Sequence, residues 1–352
     1  MEGGWFTLRE ILSQPEVWRG IKGEVDRIKD NLKRLFLAHD YQKVIFTGCG
    51  SSYYLATAVS RIFSSLTGKN SLALPASELL LYPEIYLQKD ENYLLVPISR
   101  SGESTETVDA LMRTRKNYKT EVLGVSCYKQ STLVEKSDLA LIVSQAKEKS
   151  VVMTRSFTSM LIGLGLISCI VAGKDDLYRE FTKLPELAGK IIDKYKSYCK
   201  KIVDKLRCEK FVYLGSGPFY GFACEGALKM KEMANLSCEV YHIPEYIHGP
   251  KSTADEKTMV FLLLPGKMNE YLTKFLQELT LLGCQILVEC EKIPSEIEKN
   301  KISYVLEMNS GLSDYTRGLL YMIPLQLIAF YNTLKRGLNP DSPRNLSQVV
   351  RY

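Results

Sequence analysis

The chain is poor in the residues that build metal centres and disulfide frameworks. It holds three histidines, His39, His242 and His248, and they do not cluster. Its nine cysteines (Cys49, Cys127, Cys169, Cys199, Cys208, Cys224, Cys238, Cys284 and Cys290) contain no CxxC pair. Several lie inside apolar segments, where a reduced thiol behaves as a small hydrophobe. A zinc site is not expected, and no metal is assigned. Low-complexity segments are absent. The longest apolar run, residues 160–173, is shorter than the ~20 residues of a membrane-spanning helix and contains glycine. It reads as a buried helix. Met1-Glu2-Gly3-Gly4-Trp5 has no signal-peptide pattern, so the expected location is the cytoplasm, with no membrane partner. A net charge of +6 spread over 352 residues does not make a nucleic-acid surface, and none is expected.

What is present is α/β patterning, in a length that suggests about two domains. Two strand–glycine-turn–helix units occupy matching places in the two halves. The first is Val44-Ile45-Phe46-Thr47-Gly48-Cys49-Gly50-Ser51-Ser52, and the second is Phe211-Val212-Tyr213-Leu214-Gly215-Ser216-Gly217. Recurrence at the same relative position predicts a duplicated α/β domain. Ligands of such sheets gather where strands end and helices begin.

Residues 7–39 carry helical spacing. Strands are expected at 43–47, 71–74, 93–98, 121–126 and 139–143, with helices at 53–66, 105–116 and 157–171. A Lys-rich helical rhythm over 183–210 reads as a linker. The second half repeats the plan, with strands at 211–214, 238–241, 259–264, 285–289 and 303–308 and helices at 222–233, 269–282 and 316–334. The expected division is an N-terminal helical segment 1–40, a first domain 41–182, a linker helix 183–210, a second domain 211–336 and a tail 337–352. Each domain is expected to hold a mainly parallel sheet covered by helices.

Four segments carry candidate chemistry. Ser99-Arg100-Ser101-Gly102-Glu103-Ser104-Thr105 lies between an apolar strand and a helix. Backbone N–H groups, the positive helix end and surplus hydroxyls make it a phosphate cradle; plain helix capping needs only one hydroxyl. In Glu225-Gly226-Ala227-Leu228-Lys229-Met230-Lys231-Glu232, the residues Glu225, Lys229 and Glu232 share one helix face. That is either a solvated ion-pair stripe or a general base with a neighbouring cation. His248, before Gly249-Pro250, sits in a stiff loop and is a candidate acid or base. The tail Asp341-Ser342-Pro343-Arg344-Asn345-Leu346-Ser347-Gln348 reads from composition alone as an irregular end.

Taken together and in this order, these motifs resemble the sugar isomerase (SIS) family, in its double-domain form. Gly-Cys-Gly-Ser-Ser-Tyr, Ser-Arg-Ser-Gly-Glu-Ser, Glu-Gly-Ala-Leu-Lys-Met-Lys-Glu, His-Gly-Pro and Pro-Arg-Asn-Leu are similar to the isomerase half of glucosamine-6-phosphate synthases, from about residue 40 onward. The leading segment from Leu8 to Trp18, with Arg100, is more similar to stand-alone phosphosugar isomerases and SIS-type glucosamine-6-phosphate deaminases. The resemblance implies two tandem SIS domains of flavodoxin-like α/β fold. It implies that Ser99, Arg100, Ser101 and Ser104 bind the sugar phosphate, and that Ser51, Ser52, Val151 and Gln348 line the substrate. Glu232 would move a proton between C1 and C2. His248, from the partner in a homodimer, would open the ring. Glu225 and Lys229 would orient hydroxyls and tune Glu232, and the tail would close over the site. No cofactor is implied.

The chain departs from the synthases in three respects. No glutaminase segment with a nucleophilic cysteine precedes residue 40, Arg100 stands where the synthases have glutamine, and Gln348 where they have lysine. The expected activity is therefore hydrolytic deamination of glucosamine 6-phosphate to fructose 6-phosphate and ammonia. The alternatives are isomerisation of another 6-phosphosugar of galactosamine or tagatose type, and phosphosugar binding without turnover.

Overall fold

A computed structural model describes residues 3–38, 40–294 and 297–350; His39, Met1 and Glu2 lie outside the described residues. The chain folds as two compact bodies. The N-terminal body comprises Ser13–Pro185 and the segment from Ser347; the C-terminal body comprises Glu186–Leu346 and the residues up to Leu12.

In chain order, α1 (Trp5–Leu12) opens the C-terminal body. The N-terminal body follows with α2 (Gln14–Ala38), β1 (Lys43–Gly48), α3 (Ser51–Thr67), β2 (Ser71–Pro75), α4 (Ala76–Leu81), α5 (Pro83–Tyr86), β3 (Asn92–Pro97), α6 (Thr105–Asn117), β4 (Lys119–Ser126), α7 (Thr132–Glu135), β5 (Leu139–Ile142) and α8 (Arg155–Ala172). The division falls within α9 (Asp175–Lys205), at Pro185. The C-terminal body continues with β6 (Lys210–Leu214), α10 (Phe219–Ala234), β7 (Cys238–Tyr241), β8 (Thr258–Leu263), α11 (Glu270–Leu279), β9 (Gln285–Cys290), β10 (Tyr304–Glu307) and α12 (Asp314–Lys335).

Each body carries a five-stranded parallel sheet. The orders are β2-β1-β3-β4-β5 and β7-β6-β8-β9-β10, so the second sheet repeats the first strand for strand. The apolar runs explain why. In β3, every residue after Asn92 is buried, and all six residues of β8 are. Only a sheet covered on both faces tolerates such runs. Strand order reverses between β1 and β3, and between β6 and β8. These are the switch points at which connecting loops diverge and leave a crevice.

Helix α8 is apolar on all sides. Among the described residues it is the one helix long and apolar enough to cross a membrane, and it packs in the core against α2 and α3. In the C-terminal body, α10 packs against α12 and β6. Gly226 makes this approach close: a Cβ there would lie 2.9 Å from Leu325 Cδ1 and 3.1 Å from Tyr213 Cε1.

Several bounds differ from the sequence expectation. The single helical stretch over 7–39 is two helices. Helices α3 and α10 start earlier than expected, at Ser51 and Phe219, which brings Ser51 and Ser52 into a first helical turn. The residues expected to form a linker begin inside α9, whose amphipathic rhythm starts at Asp175.

Candidate functional site

The serine loop of the N-terminal body leaves β3 beside the first glycine turn. Ile98 bridges to Val125 of β4, and Ile98 N–H donates to Thr47 O at 2.8 Å. Gly48 permits the close approach of the two strand ends, since a Cβ there would lie 2.8 Å from Ile98 O and 2.7 Å from Ser52 Cβ. The loop thus sits at the switch point, with Ser51 and Ser52 buried in the opening turn of the adjoining α3.

Within the loop, three hydroxyls converge. Ser99 Oγ lies 3.2 Å from Ser104 Oγ and 3.5 Å from Ser101 Oγ. Gly102 N–H donates to Ser99 Oγ at 3.0 Å, and Glu103 N–H to Ser101 Oγ at 3.1 Å. Ser104 holds the N-cap position of α6, yet its side chain makes no capping hydrogen bond. The hydroxyls are therefore gathered at the positive end of a 13-residue helix, not consumed in capping it. Gly102 turns the chain at φ +70°, and a Cβ there would lie 2.2 Å from Ser131 Oγ. Glu103 points away, its carboxylate accepting from Thr132 N–H at 2.7 Å and Thr132 Oγ1 at 3.0 Å.

Arg100, expected among the phosphate ligands, makes its side-chain bonds away from the serine hydroxyls. Its buried guanidinium turns to the buried carboxylate of Glu148, with Nη1 3.2 Å from Oε2. Nη2 donates to Val151 O at 2.8 Å and to Gln348 O at 3.0 Å. The reason is electrostatic: a carboxylate removed from water demands a cation, and Arg100 supplies it. The Gln348 amide donates to Glu148 O at 3.0 Å and Ser150 O at 3.1 Å. Arg100, Val151 and Gln348 are thus brought together, around a residue the sequence reading missed. Glu148 follows an apolar strand as a lone acid in a Lys-flanked stretch, and no periodicity marks it.

In the C-terminal body, α10 places Glu225, Lys229 and Glu232 together. Lys229 Nζ lies 3.2 Å from Glu225 Oε1 and is also hydrogen-bonded to Glu232. The side chains of Glu225 and Lys229 are fully buried, while that of Glu232 keeps 20% of its surface exposed. This is not a solvated stripe. Burial pulls the Lys229 pKa down, but attraction and hydrogen bonds to both carboxylates outweigh it, and the net shift is upward. Lys229 is an ammonium, and Glu232 is the member of the cluster that solvent reaches. His248 stands apart on an exposed loop after the 3₁₀ turn Pro244–Ile247, its N–H donating to Glu245 O at 3.0 Å. The tail is ordered at Asp341, which caps α1 by accepting from Phe6 N–H, Thr7 N–H and Thr7 Oγ1. Among the described residues, no group of three or more His, Cys, Asp or Glu is placed to hold a metal ion.

The family model of the SIS domain matches residues 37–167 and again residues 206–336. The chain is 30% identical to a glutamine–fructose-6-phosphate aminotransferase (isomerizing) of Pyrococcus horikoshii and 31% identical to one of Pseudomonas putida. These alignments cover 99% and 98% of the chain but 58% of each relative, so the chain spans little more than half of the relatives it matches. Among solved structures, a glucosamine-6-phosphate deaminase of Thermotoga maritima is 28% identical with a TM-score of 0.79, covering 98% of this chain and 99% of that one. A structure described as a putative tagatose-6-phosphate ketose/aldose isomerase of Clostridium novyi is 25% identical with a TM-score of 0.90, covering 99% and 94%. The chain belongs to the SIS family, with the domain present twice.

Proposed function

We propose that this double SIS protein is a phosphosugar enzyme that deaminates glucosamine 6-phosphate to fructose 6-phosphate and ammonia. The observation that carries the reading is the α10 cluster: a solvent-accessible Glu232 carboxylate held by a buried lysine that stays charged. A carboxylate oriented by a fixed ammonium suits reversible proton transfer beside a carbonyl. The serine loop, by itself, offers hydroxyls and helix N–H groups that suit a phosphate.

In the proposed reaction, His248 assists opening of the sugar ring to the C1 aldehyde. Glu232 takes the C2 proton, the C–H electron pair forms a C1–C2 double bond, and the C1 oxygen is protonated. The enolamine then collapses: C1 receives the proton held by Glu232, and the nitrogen lone pair forms the C2 imine. Water adds to C2, the C–N bond breaks, and ammonia leaves with a C2 ketone. The sum consumes one water and needs no oxidant or reductant. The chain is proposed to act as a homodimer, with the partner supplying His248. The Thermotoga maritima deaminase, matched over nearly its full length, supports this reading.

A second reading is favoured by the higher structural similarity to the Clostridium novyi protein: aldose–ketose isomerisation of another 6-phosphosugar with the same Glu232 chemistry. Incubation of purified protein with glucosamine 6-phosphate alone, with ammonia and fructose 6-phosphate measured in parallel, separates the two. Equimolar products without glutamine are expected. If neither forms but a tagatose- or galactose-type 6-phosphosugar is isomerised, the second reading holds. If phosphosugars only raise the melting temperature, the chain binds without turnover.

A further inference from the structure

The Arg100 side chain and backbone belong to different parts of the N-terminal body. Its carbonyl accepts from Cys127 N–H at 3.1 Å and Ser126 Oγ at 3.2 Å, fixing the backbone in the serine loop. Its guanidinium leaves that loop for three partners: the Glu148 carboxylate, Val151 O and Gln348 O. Glu148 is itself held from the other side. Its Oε1 accepts from Thr154 N–H at 2.7 Å, Thr154 Oγ1 at 2.9 Å and Ser156 N–H at 3.1 Å, and its Oε2 accepts from Ser156 Oγ. The acid thus ties the opening of α8 to the arginine.

Gln348 is engaged at both ends of its residue. Its side-chain amide donates to Glu148 O and Ser150 O, and its own carbonyl accepts from Arg100 Nη2. A planar fork can serve a carboxylate and two carbonyls at once, which a lysine ammonium does less well. Ser347, Gln348 and Val350 are exposed.

We propose that Arg100 is a positioning residue, which latches the C-terminal segment at Gln348 and the loop at Val151 onto the backbone of the serine loop. It acts through these two segments and does not itself hold the phosphate. The inference rests on reading the serine loop as the phosphate cradle, but the docking of the tail is measurable without any substrate.

The test uses the full chain with Arg100→Lys, Gln348→Ala and the double substitution. Lysine keeps a cation beside buried Glu148, and Gln348→Ala removes only an exposed residue's two amide bonds to Glu148 O and Ser150 O, so both preserve the fold. Trimming by a carboxypeptidase, followed by mass spectrometry, reports whether the tail is docked. Cleavage past Gln348 is expected to run about ten-fold faster in each single variant, the worth of about one hydrogen bond to a charged group. The double variant is expected to be trimmed faster than either single, because Arg100→Lys weakens the bond to the Gln348 carbonyl while Gln348→Ala removes the bonds of its amide. Affinity for glucosamine 6-phosphate, measured by calorimetry, is expected to fall equally in the two singles. Unchanged trimming in Arg100→Lys overturns the latch. So does an affinity loss of about ten-fold or more in Arg100→Lys alone, which would make Arg100 a direct phosphate ligand. If the unaltered protein binds no phosphosugar, the cradle reading fails while trimming still decides the latch.

Discussion

Lys229 Nζ lies 3.2 Å from Glu225 Oε1, one helical turn back along α10, and both side chains are fully buried. A buried pair of this kind contributes little over an apolar pair of the same size, but breaking it leaves a charge stranded. Lys229→Met is therefore expected to destabilise the protein by about 3–5 kcal/mol, read from the urea midpoint. The linkage sign follows from the raised lysine pKa. The folded state retains a proton that the unfolded chain gives up near 10.5, so the pair's contribution is complete below that pH and is lost as pH rises through the folded value. The variant's stability deficit should accordingly hold constant at neutral pH and shrink only in strong alkali.

Glu232→Gln keeps the size and hydrogen-bonding reach of the side chain and removes the base. The expected outcome is a fall in kcat of about 10²–10⁴-fold with phosphosugar affinity near that of the unaltered protein. Turnover within a few-fold of normal would remove Glu232 from its assigned role.

Ser101→Ala and Ser104→Ala each delete one hydroxyl that converges on Ser99. A hydrogen bond to a charged partner contributes about 1.5–3 kcal/mol, so KM for the phosphorylated sugar should rise by roughly ten-fold or more per substitution, with kcat less affected. Rates with unphosphorylated glucosamine serve as the control. Were the unaltered enzyme to use both sugars equally, the loop would not be a phosphate cradle.

Glu289, near the end of β9 in the second sheet, is a stability liability. The residue is fully buried, and neither carboxyl oxygen has a hydrogen-bond partner among the described residues. Burial alone lifts its pKa well above the usual carboxylate range. The titratable groups coupled to it are Tyr195, Cys199, Tyr213, Cys290 and Tyr321, all themselves pushed up chiefly by burial. Because the folded state holds a proton that the unfolded chain releases above about 4.5, stability declines as pH rises from that value toward the folded pKa. Glu289→Leu is expected to stabilise the protein by about 1–3 kcal/mol at neutral pH and to flatten this decline. Thermal melts of both proteins from pH 5 to pH 8, on the order of two steps per unit, check both expectations.

The duplicated α/β architecture was legible in the chain because apolar strand runs and glycine turns are local signals, and each recurs in both halves. The serine loop and the Glu225–Lys229–Glu232 face were legible for the same reason: both lie within a few consecutive turns of backbone. The partners of the Arg100 side chain were not legible, because Glu148 and Gln348 are far along the chain and no periodicity relates them to it. Burial was likewise beyond reach. The same spacing describes a solvated stripe and a core ion pair, and only the packing of α10 on β6 and α12 distinguishes them. Local sequence thus determined which elements form and which candidate side chains they carry. The tertiary structure decided which charges are removed from water and that Arg100 answers Glu148 while Lys229 answers Glu225, because desolvation depends on neighbours that chain order does not specify.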